Sequence, residues 1–287
     1  MTVNRTKLWT CIFLGFLPVG FSEISLTAAE PEIHFRKVQL DGRFRSEGVA
    51  IADFNQDGQN DIAAGMVWYE APKWEMHLLG ETAPEHDPKG YSNSFCNFAD
   101  DFNSDGWPDL LIVGFPGAAT NWFENPHVTG KPWKQHLCTP VTNNESPQYL
   151  DLNGDGKREL LMGVASDPAQ PDGNSKMAYV TPAKDPDAAW DVHAISAEGA
   201  PGTQRYAHGL GAGDINGDGK WDVLCSDGWW AAPSNGEAIE WKFYPVPFGG
   251  CAHMFAYDLD GDGDNDVINS SPHAYGVWWH EQMSDGQ

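Results

Sequence analysis

The stretch DLDGDGDND at residues 258–266 places five aspartates within nine residues. Carboxylates this close repel one another unless a cation lies between them. Four earlier stretches have the same form, namely DFNQDGQND (53–61), DFNSDGWPD (101–109), DLNGDGKRE (151–159) and DINGDGKWD (214–222). All five fit D-x-[ND]-x-D-G-x-x-[DE], and we number them acidic loops 1 to 5 in chain order. The sequence is therefore a repeat, and its fold must be argued from the repeating unit.

Four short apolar stretches accompany each acidic loop. One precedes it, as in MFAYD, and one follows it, as in DLLIVG; a third carries aromatics, as in VWYEAP, and a fourth reads like WKQHLC. β-Branched and aromatic residues bounded by glycine and proline are typical of strands. Four strands in a repeat of about 45–50 residues indicate a β-propeller blade. We therefore predict an all-β fold, a β-propeller of four-stranded blades with five blades visible. The alternative is a linear array of independent calcium modules, which the high tryptophan content disfavours.

The two ends of the repeat region raise the question of ring closure. The fifth unit ends after its third strand, VWWHEQ, whereas residues 32–40 (EIHFRKVQL) resemble a fourth strand with no blade of their own. We expect this N-terminal strand to complete the last blade. The same pattern would also fit a chain that lacks further blades at its C-terminus.

The acidic loops have the oxygen donors of a calcium site. Side chains at positions 1, 3, 5 and 9 and the backbone carbonyl at position 7 suit Ca²⁺, and the glycine at position 6 allows the sharp turn. Strands flank the loops and the last acid is at position 9, so these are not EF-hands. We predict up to five structural Ca²⁺ ions; the alternative is acidic turns without metal. The predicted ligands are Asp53, Asn55, Asp57, Gln59, Asp61, Asp101, Asn103, Asp105, Trp107, Asp109, Asp151, Asn153, Asp155, Lys157, Glu159, Asp214, Asn216, Asp218, Lys220, Asp222, Asp258, Asp260, Asp262, Asp264 and Asp266.

The first residues have the pattern of an export signal. Arg5 and Lys7 precede an apolar run at 8–21, and small residues at 27–29 offer a cleavage site. We expect residues 1–29 to be a signal peptide and 30–287 to be the propeller. The protein would then be secreted, periplasmic or at the cell surface, with no stable membrane insertion after cleavage. An uncleaved anchor is the alternative.

Charge and cysteines restrict the partners and the chemistry. The formal net charge of −24 argues against nucleic acid as a partner. Four cysteines follow the signal, with no C-x-x-C pair to indicate a zinc ribbon or redox motif. A disulfide between Cys96 and Cys251 and four separate thiols both remain open.

These loops and strands resemble the FG-GAP/VCBS repeat family of exported propellers, whose calcium loops are similar to those of integrin α-subunit propellers. The segments GFPGAATNWFENP, NESPQYLDLNGDGK and AHGLGAGDINGDGKWDVL resemble a bacterial subgroup of secreted seven-bladed proteins. That resemblance implies about two further blades, so the chain would be a fragment of a seven-bladed propeller. The subgroup is distantly similar to the propeller domain of aldos-2-ulose dehydratase, which implies sugar chemistry; the cupin-like domain of that enzyme has no counterpart here.

Polar residues collect in the connections expected on the face opposite the acidic loops. Three histidines with a glutamate could bind a second, transition metal or act as acid and base on a sugar. An arginine there could hold a carboxylate. Six candidates share this placement: Glu47, Glu145, Arg205, His208, His253 and His273. By contrast, His77, His136 and His193 recur in the fourth strand of their units, and we interpret them as structural.

Two functions fit this pattern. The first is a binding module for carbohydrate or an exported protein, in which exposed aromatics such as Trp107 or Tyr275 stack on sugar rings. The second is a carbohydrate-active lyase or dehydratase that uses the histidines. The sequence contains no G-x-S-x-G or H-E-x-x-H motif. It favours the binding module and leaves enzymatic activity open.

Overall fold

The computed structural model describes residues 33–234 and 241–283. The chain divides into two units, residues 1–39 and residues 40–287. The described part of the first unit, residues 33–39, has no regular secondary structure, and every regular element described in the second unit is a β-strand or bridge. No helix in these ranges is long and apolar enough to cross a membrane. The all-β prediction is confirmed.

The strands form five antiparallel sheets, each built from strands consecutive in the sequence. Sheet 1 contains β1 (Ala50–Ala52), β2 (Asp61–Ala64), β3 (Val67–Glu70) and β4 (Glu75–Leu78), and sheet 2 contains β5 (Cys96–Asp100), β6 (Asp109–Val113), β7 (Thr120–Glu124) and β8 (Lys134–Thr139). Sheet 3 contains β9 (Thr142–Leu150), β10 (Glu159–Ala165), β11 (Ser175–Thr181) and β12 (Asp191–Ala194), and sheet 4 contains β13 (Gly211–Gly213), β14 (Asp222–Cys225), β15 (Gly228–Ala231) and β16 (Lys242–Pro245). Sheet 5 contains β17 (Met254–Tyr257), β18 (Asp266–Ser270) and β19 (Val277–His280). Each acidic loop joins the first strand of a sheet to the second, as predicted.

Both faces of the interior sheets are apolar. In β6, Leu110 and Ile112 belong to the core cluster shared with sheet 1, whereas Leu111 and Val113 belong to the cluster shared with sheet 3. Successive side chains of a strand point to opposite faces, so an uninterrupted apolar strand serves two neighbours. Four clusters of this kind fill the junctions between consecutive sheets.

The first strands of neighbouring sheets lie side by side: β1 contacts β5, β5 contacts β9, and β13 contacts β17. Glycines permit this close approach. A Cβ at Gly48 would lie 2.8 Å from the Cα of Cys96, and one at Gly211 would collide with the carbonyl oxygen of Met254. The first strands therefore carry small residues where neighbouring backbones meet.

The predicted strand at 32–40 does not form, and that prediction is wrong for residues 33–40, the part that is described. The alternating pattern is local, whereas a strand also needs a partner edge for its backbone hydrogen bonds. Sheet 5 has three strands among the described residues. No core cluster in that part of the chain joins sheet 5 to sheet 1, and Ile51 and Phe255 remain exposed on the two end faces. Closure of a five-bladed ring stays a prediction.

The four cysteines of the described chain are free thiols: Cys96, Cys138, Cys225 and Cys251. The Cys96–Cys251 disulfide does not occur, because the two residues belong to the first strand of sheet 2 and the entry to the first strand of sheet 5. Burial raises the pKa of the Cys96 thiol to about 11, so this thiol is protonated and unreactive at neutral pH.

Replacing Gly211 with alanine should destabilise the protein. The added methyl group would press on the backbone of Met254. Overpacking of this kind costs about 1–3 kcal/mol of unfolding free energy. Urea unfolding of Gly211→Ala should show this loss, whereas Gly250→Ala, where nothing lies within 4 Å of the new atom, should not. Equal stabilities would contradict the close packing of first strands.

Candidate functional sites: the acidic loops and the histidine face

Acidic loop 1 shows the geometry that the loops share. Asp53 accepts hydrogen bonds from the backbone N–H groups of Asp57 (3.0 Å) and Gly58 (2.8 Å), and Asp57 accepts one from Gln59 (2.9 Å). Loops 2 and 4 repeat all three contacts, and loops 3 and 5 repeat the last two. The carboxylates at positions 1 and 5 are therefore turned toward the inside of the loop.

The donor atoms of the loops fit a hard cation. The glycine at position 6 has a positive φ in every loop, between 83° and 102°. In acidic loop 5, ligand oxygens of Asp258, Asp260 and Asp262 lie within 4.8 Å of one another, the only such group of three His, Cys, Asp or Glu residues in the described chain. The other loops have asparagine at position 3, which offers an oxygen without charge. This set of oxygen donors suits Ca²⁺.

The acid at position 9 has a structural role that the sequence pattern did not reveal: it joins two segments of the chain. Asp61 is fully buried and accepts hydrogen bonds from the N–H of Phe54 in its own loop (3.0 Å) and of Ala71, just after β3 (2.9 Å). Asp109, Asp222 and Asp266 make the same two contacts. Each carboxylate thus fastens the acidic loop to the end of the third strand. We call these four position-9 acids the clamp carboxylates: Asp61, Asp109, Asp222 and Asp266.

Acidic loop 3 departs from this arrangement. Glu159 accepts from the N–H of Leu152 (2.9 Å), but its second oxygen accepts from the side chain of Asn153 (3.1 Å). The longer glutamate side chain places its carboxylate closer to its own loop, so no clamp joins this loop to the end of β11.

Burial changes the acidity of the clamp carboxylates. It raises the pKa of Asp109 to about 8, because the charged form loses hydration. The hydrogen bonds from Asn125 and Phe102 oppose this rise, and the nearby carboxylates of Asp105 and Asp101 add to it. Ionisation of Asp109 is therefore unfavourable unless a cation lies nearby.

Side chains at position 7 are engaged outside the loops. The ring of Trp107 stacks on His127 at 4.8 Å, and the Lys220 ammonium donates to the carbonyl oxygens of Pro233 and Ser234. In acidic loops 2 and 4, only the backbone carbonyl at this position remains as a possible metal ligand.

Removing a clamp carboxylate should lower the free energy of unfolding of the protein, even in the absence of metal. Asp109→Ala leaves two buried N–H groups unpaired, at about 1–3 kcal/mol for each. Urea unfolding in EDTA should show this loss. The matched control is Asp105→Ala in the same loop, whose partner amide is exposed and can bond to water instead. Similar losses in both variants would contradict the clamp.

The predicted cluster of histidines forms at the surface. The Nε2 atom of His208 lies 3.0 Å from Oε2 of Glu145, and the rings of His208 and His273 meet edge to face at 4.9 Å. His253 lies close by, with Nδ1 3.2 Å from the side-chain amide of Gln148. We call these five residues the histidine face.

Backbone contacts explain the convergence. The N–H of Glu145 donates to the carbonyl of Ala207 (2.8 Å), which holds the entry to β13 beside β9. A parallel bridge pairs Leu210 with His253, so the entries to β13 and β17 are adjacent. These entries lie at the ends of the first strands remote from the acidic loops, which places the histidine face opposite them.

The electrostatics of the histidine face favour a neutral His253. Burial, and then the nearby His208, lower the pKa of His253 below its usual value. The ligand atoms of these histidines and Glu145 do not gather within 4.8 Å in the described chain. A second metal here therefore stays a prediction without a preformed site.

The other two candidates lie elsewhere. Arg205 donates to the carbonyl of Pro116 (2.8 Å), approaches Asp172 at 3.4 Å and stacks on Tyr206. Glu47 is bonded to the backbone N–H and the hydroxyl of Ser92. Both residues fix loops. Arg205 lies in the same connection as His208, but its side chain turns toward Pro116 and Asp172, and Glu47 lies before β1.

The histidines of the fourth strands pack against aromatic rings of the third strands. His77 stacks on Trp68 at 4.4 Å, His136 on Trp122 at 4.1 Å, and His193 on Tyr179 at 4.7 Å. Their repeated geometry fits the structural role predicted for them.

Comparison with known proteins finds a similarity to a family in part of the chain. Residues 101–162, which contain acidic loops 2 and 3, match the FG-GAP-like repeat model. The resemblance to this repeat family is confirmed for that part. No curated protein matches the sequence.

Several solved structures are similar in fold. One is a lectin from Agrocybe aegerita that recognises non-reducing terminal N-acetylglucosamine (16% identity, TM-score 0.47, 76% of this chain and 59% of the lectin). Others are rhamnogalacturonan lyase YesW (14%, 0.47, 82% and 49%) and the V. cholerae biofilm matrix protein Bap1 (18%, 0.42, 84% and 40%). The chain spans less than two thirds of each. Similarity at this level does not extend their activities to this chain.

Proposed function

We propose that this protein is an exported, calcium-stabilised recognition module that binds carbohydrate on its histidine face. The observation that carries the proposal is the convergence of His208, His253 and His273 with Glu145 from three consecutive sheets. The three histidines come from different connections and Glu145 from β9, and all four remain partly or fully exposed. Polar side chains that gather on one surface without a structural need for it are candidates for ligand binding.

The chemistry of the histidine face suits hydroxyl groups. The Glu145 carboxylate accepts hydrogen bonds, the Gln148 amide donates and accepts, and a neutral His253 does both. A sugar hydroxyl also donates and accepts. The net charge of −24 disfavours polyanions, so a neutral glycan is a better ligand than an acidic one.

Calcium would act on the fold and not on the ligand. A cation in an acidic loop offsets the repulsion among its carboxylates and ties the first strand of a sheet to the second. Calcium sites with millimolar dissociation constants suffice for an exported protein, because extracellular calcium modules bind Ca²⁺ with dissociation constants of about 10⁻⁴–10⁻³ M.

Calcium should raise the thermal stability of the protein. Ca²⁺ at 100 times the dissociation constant adds about 2.7 kcal/mol for each site. Heat unfolding should shift upward from EDTA to millimolar Ca²⁺, and less so in Asp258→Ala. The control is Glu198→Ala, which removes an exposed carboxylate outside the acidic loops and should respond like wild type. No shift in the wild-type protein would refute calcium binding.

Glycan binding should depend on the histidine face. A glycan array probed in Ca²⁺ should show binding to neutral glycans that His208→Ala and Glu145→Gln weaken at least tenfold. His77→Ala, which loses a stacking histidine far from that face, should bind like wild type. Binding that survives both cluster variants would refute this site, and an exported protein found in place of a glycan would refute the ligand class.

A carbohydrate-active lyase is the second candidate, and the His208–Glu145 pair favours it. An imidazole next to a carboxylate can take a proton from the carbon beside a carbonyl while the C–O bond at the next carbon breaks. The C–H electron pair forms the double bond, and the leaving oxygen takes up a proton from the imidazolium or from water and departs as a hydroxyl compound. Incubating the same variants with uronate and keto-sugar glycans tests this. An unsaturated product lost in His208→Ala would support the lyase, and no product from the wild type would leave only binding.

A further inference from the structure

Strand β9 is irregular at the end that lies near the histidine face. Its register against β10 shifts between Leu161 and Gly163, and residues 144–147 of β9 have no partner in this register. We call residues 144–147 the β9 bulge. A bulge bends its strand and re-aims side chains, and bulges are common next to active sites. The β9 bulge contains Glu145, the carboxylate of the histidine face.

The backbone of Asn144 is the most unusual feature of the bulge. Its φ is 62°, in the left-handed region where the Cβ of most residues lies too close to the following carbonyl oxygen. Asparagine is one of the few residues that tolerate this region. The equivalent residues, seven before the first aspartate of their acidic loops, all lie in the described chain and have no positive φ: Ser46, Ser94, Ala207 and Cys251. The left-handed turn is therefore specific to sheet 3.

This conformation turns two successive backbone donors toward one neighbour. The N–H of Asn144 donates to the carbonyl of Arg205 (3.1 Å), and that of Glu145 donates to the carbonyl of Ala207 (2.8 Å). In extended backbone, successive N–H groups point to opposite sides, so an extended residue 144 would lose one of these bonds. Both acceptors lie in the segment that carries His208, and the Glu145 carboxylate lies 3.0 Å from Nε2 of His208.

The rest of the bulge contacts the neighbouring connections as well. Oγ of Ser146 accepts a hydrogen bond from the N–H of Leu210 (3.2 Å). The Gln148 amide, directly after the bulge, donates to the carbonyl of Ser146 (3.1 Å) and lies 3.2 Å from Nδ1 of His253. One irregular segment of β9 thus contacts the entries to both β13 and β17, which carry two of the three histidines.

The carboxamide of Asn144 does not explain why an asparagine is present. The residue is 3% exposed, and its Oδ1 is buried without a hydrogen-bond partner in the described part of the chain. A buried polar atom in that state lowers stability. The tolerance for left-handed backbone is the property that this position uses, and backbone of this kind clusters at functional sites.

We propose that Asn144 is the positioning residue of the histidine face: its left-handed backbone holds Glu145 against the segment that carries His208. This role rests on the proposed function, since the histidine face is the binding site named there, but the contact between Glu145 and His208 exists without a ligand. Alanine at position 144 favours extended backbone, which releases the bond to Ala207 and turns the carboxylate away from His208. The ligand then loses a hydrogen-bond acceptor.

Two substitutions at one position separate the backbone from the carboxamide. Asn144→Gly removes the carboxamide and keeps the left-handed backbone, whereas Asn144→Ala disfavours the backbone as well. The probes are cello-, manno-, xylo- and chito-oligosaccharides, titrated calorimetrically in Ca²⁺. Asn144→Ala should bind the oligosaccharide that the wild type binds about tenfold or more weakly, whereas Asn144→Gly should bind it within about threefold of the wild type.

The matched control is Ser104→Ala. Ser104 also has a φ of 62° but is exposed in acidic loop 2, at the other end of the sheets. Alanine there imposes a similar backbone strain remote from the histidine face, and the variant should bind like wild type.

Crystal structures of the two variants at position 144 provide a measurement that needs no ligand. The contact between Glu145 and His208 should be lost in Asn144→Ala and kept in Asn144→Gly. A general loss of stability would not produce this difference, because it would leave the Glu145 side chain in place.

Weaker binding and a lost contact in Asn144→Ala alone support the positioning role. Losses in both variants overturn it, because the carboxamide would then be the active group, and so does wild-type behaviour of Asn144→Ala. If the wild type binds none of the probes, the proposed function fails for them, while the crystal structures still decide the role of Asn144. Should Asn144→Ala give no cooperative melt, Asn144→Gly decides alone: a kept contact supports the role and a lost contact overturns it.

Discussion

The hydrogen bonds of the clamp carboxylates hold the repeating unit together. Asp61, Asp109, Asp222 and Asp266 each take one amide from the acidic loop and one from the chain that leaves the third strand. Two segments that are remote in sequence are thereby fixed by one buried side chain. An aspartate has the right length for both contacts, and Glu159 shows that a longer acid reaches only one of them.

In the four units that are fastened in this way, the strands are held so that they can present apolar side chains on both faces. Neighbouring sheets then bury these faces against one another, and the first strands approach closely where glycines remove the side chain. The repeat is stable as a stack, since no sheet could bury both faces alone. The exposed Ile51 and Phe255 mark the two faces that have no neighbouring sheet in the described chain.

The repeat also explains how different sites arise on one framework. Side chains that fill a junction in one unit can be exchanged in the next without loss of the backbone arrangement. The connections remote from the acidic loops bring His208, His253 and His273 together, whereas the same connections in sheets 1 and 2 carry no histidine cluster. Acidic loops and histidines thus lie at opposite ends of the sheets, where each can act without disturbing the other.

Much of this could be predicted from the sequence because the repeat supplies its own evidence. Five copies of the acidic loop and the alternation around them were enough to give the all-β class, the four-strand units and the loop between the first and second strands. The convergence of three histidines with Glu145 was also expected from their places in the units. Arg205 and Glu47 were expected nearby but fix other loops, because a position in a repeat does not tell which way a connection turns.

By itself, the sequence determined the local units: strands, turns, the oxygen donors of the acidic loops and their period. Those features depend on residues a few positions apart. Only the tertiary structure decided that the position-9 aspartates are buried clamps, that residues 33–40 form no strand, and that the Arg205 side chain turns away from the histidine face. Each of these depends on a partner remote in sequence, since a hydrogen bond, a strand pair or a packed ring exists only when the fold brings its second member into place.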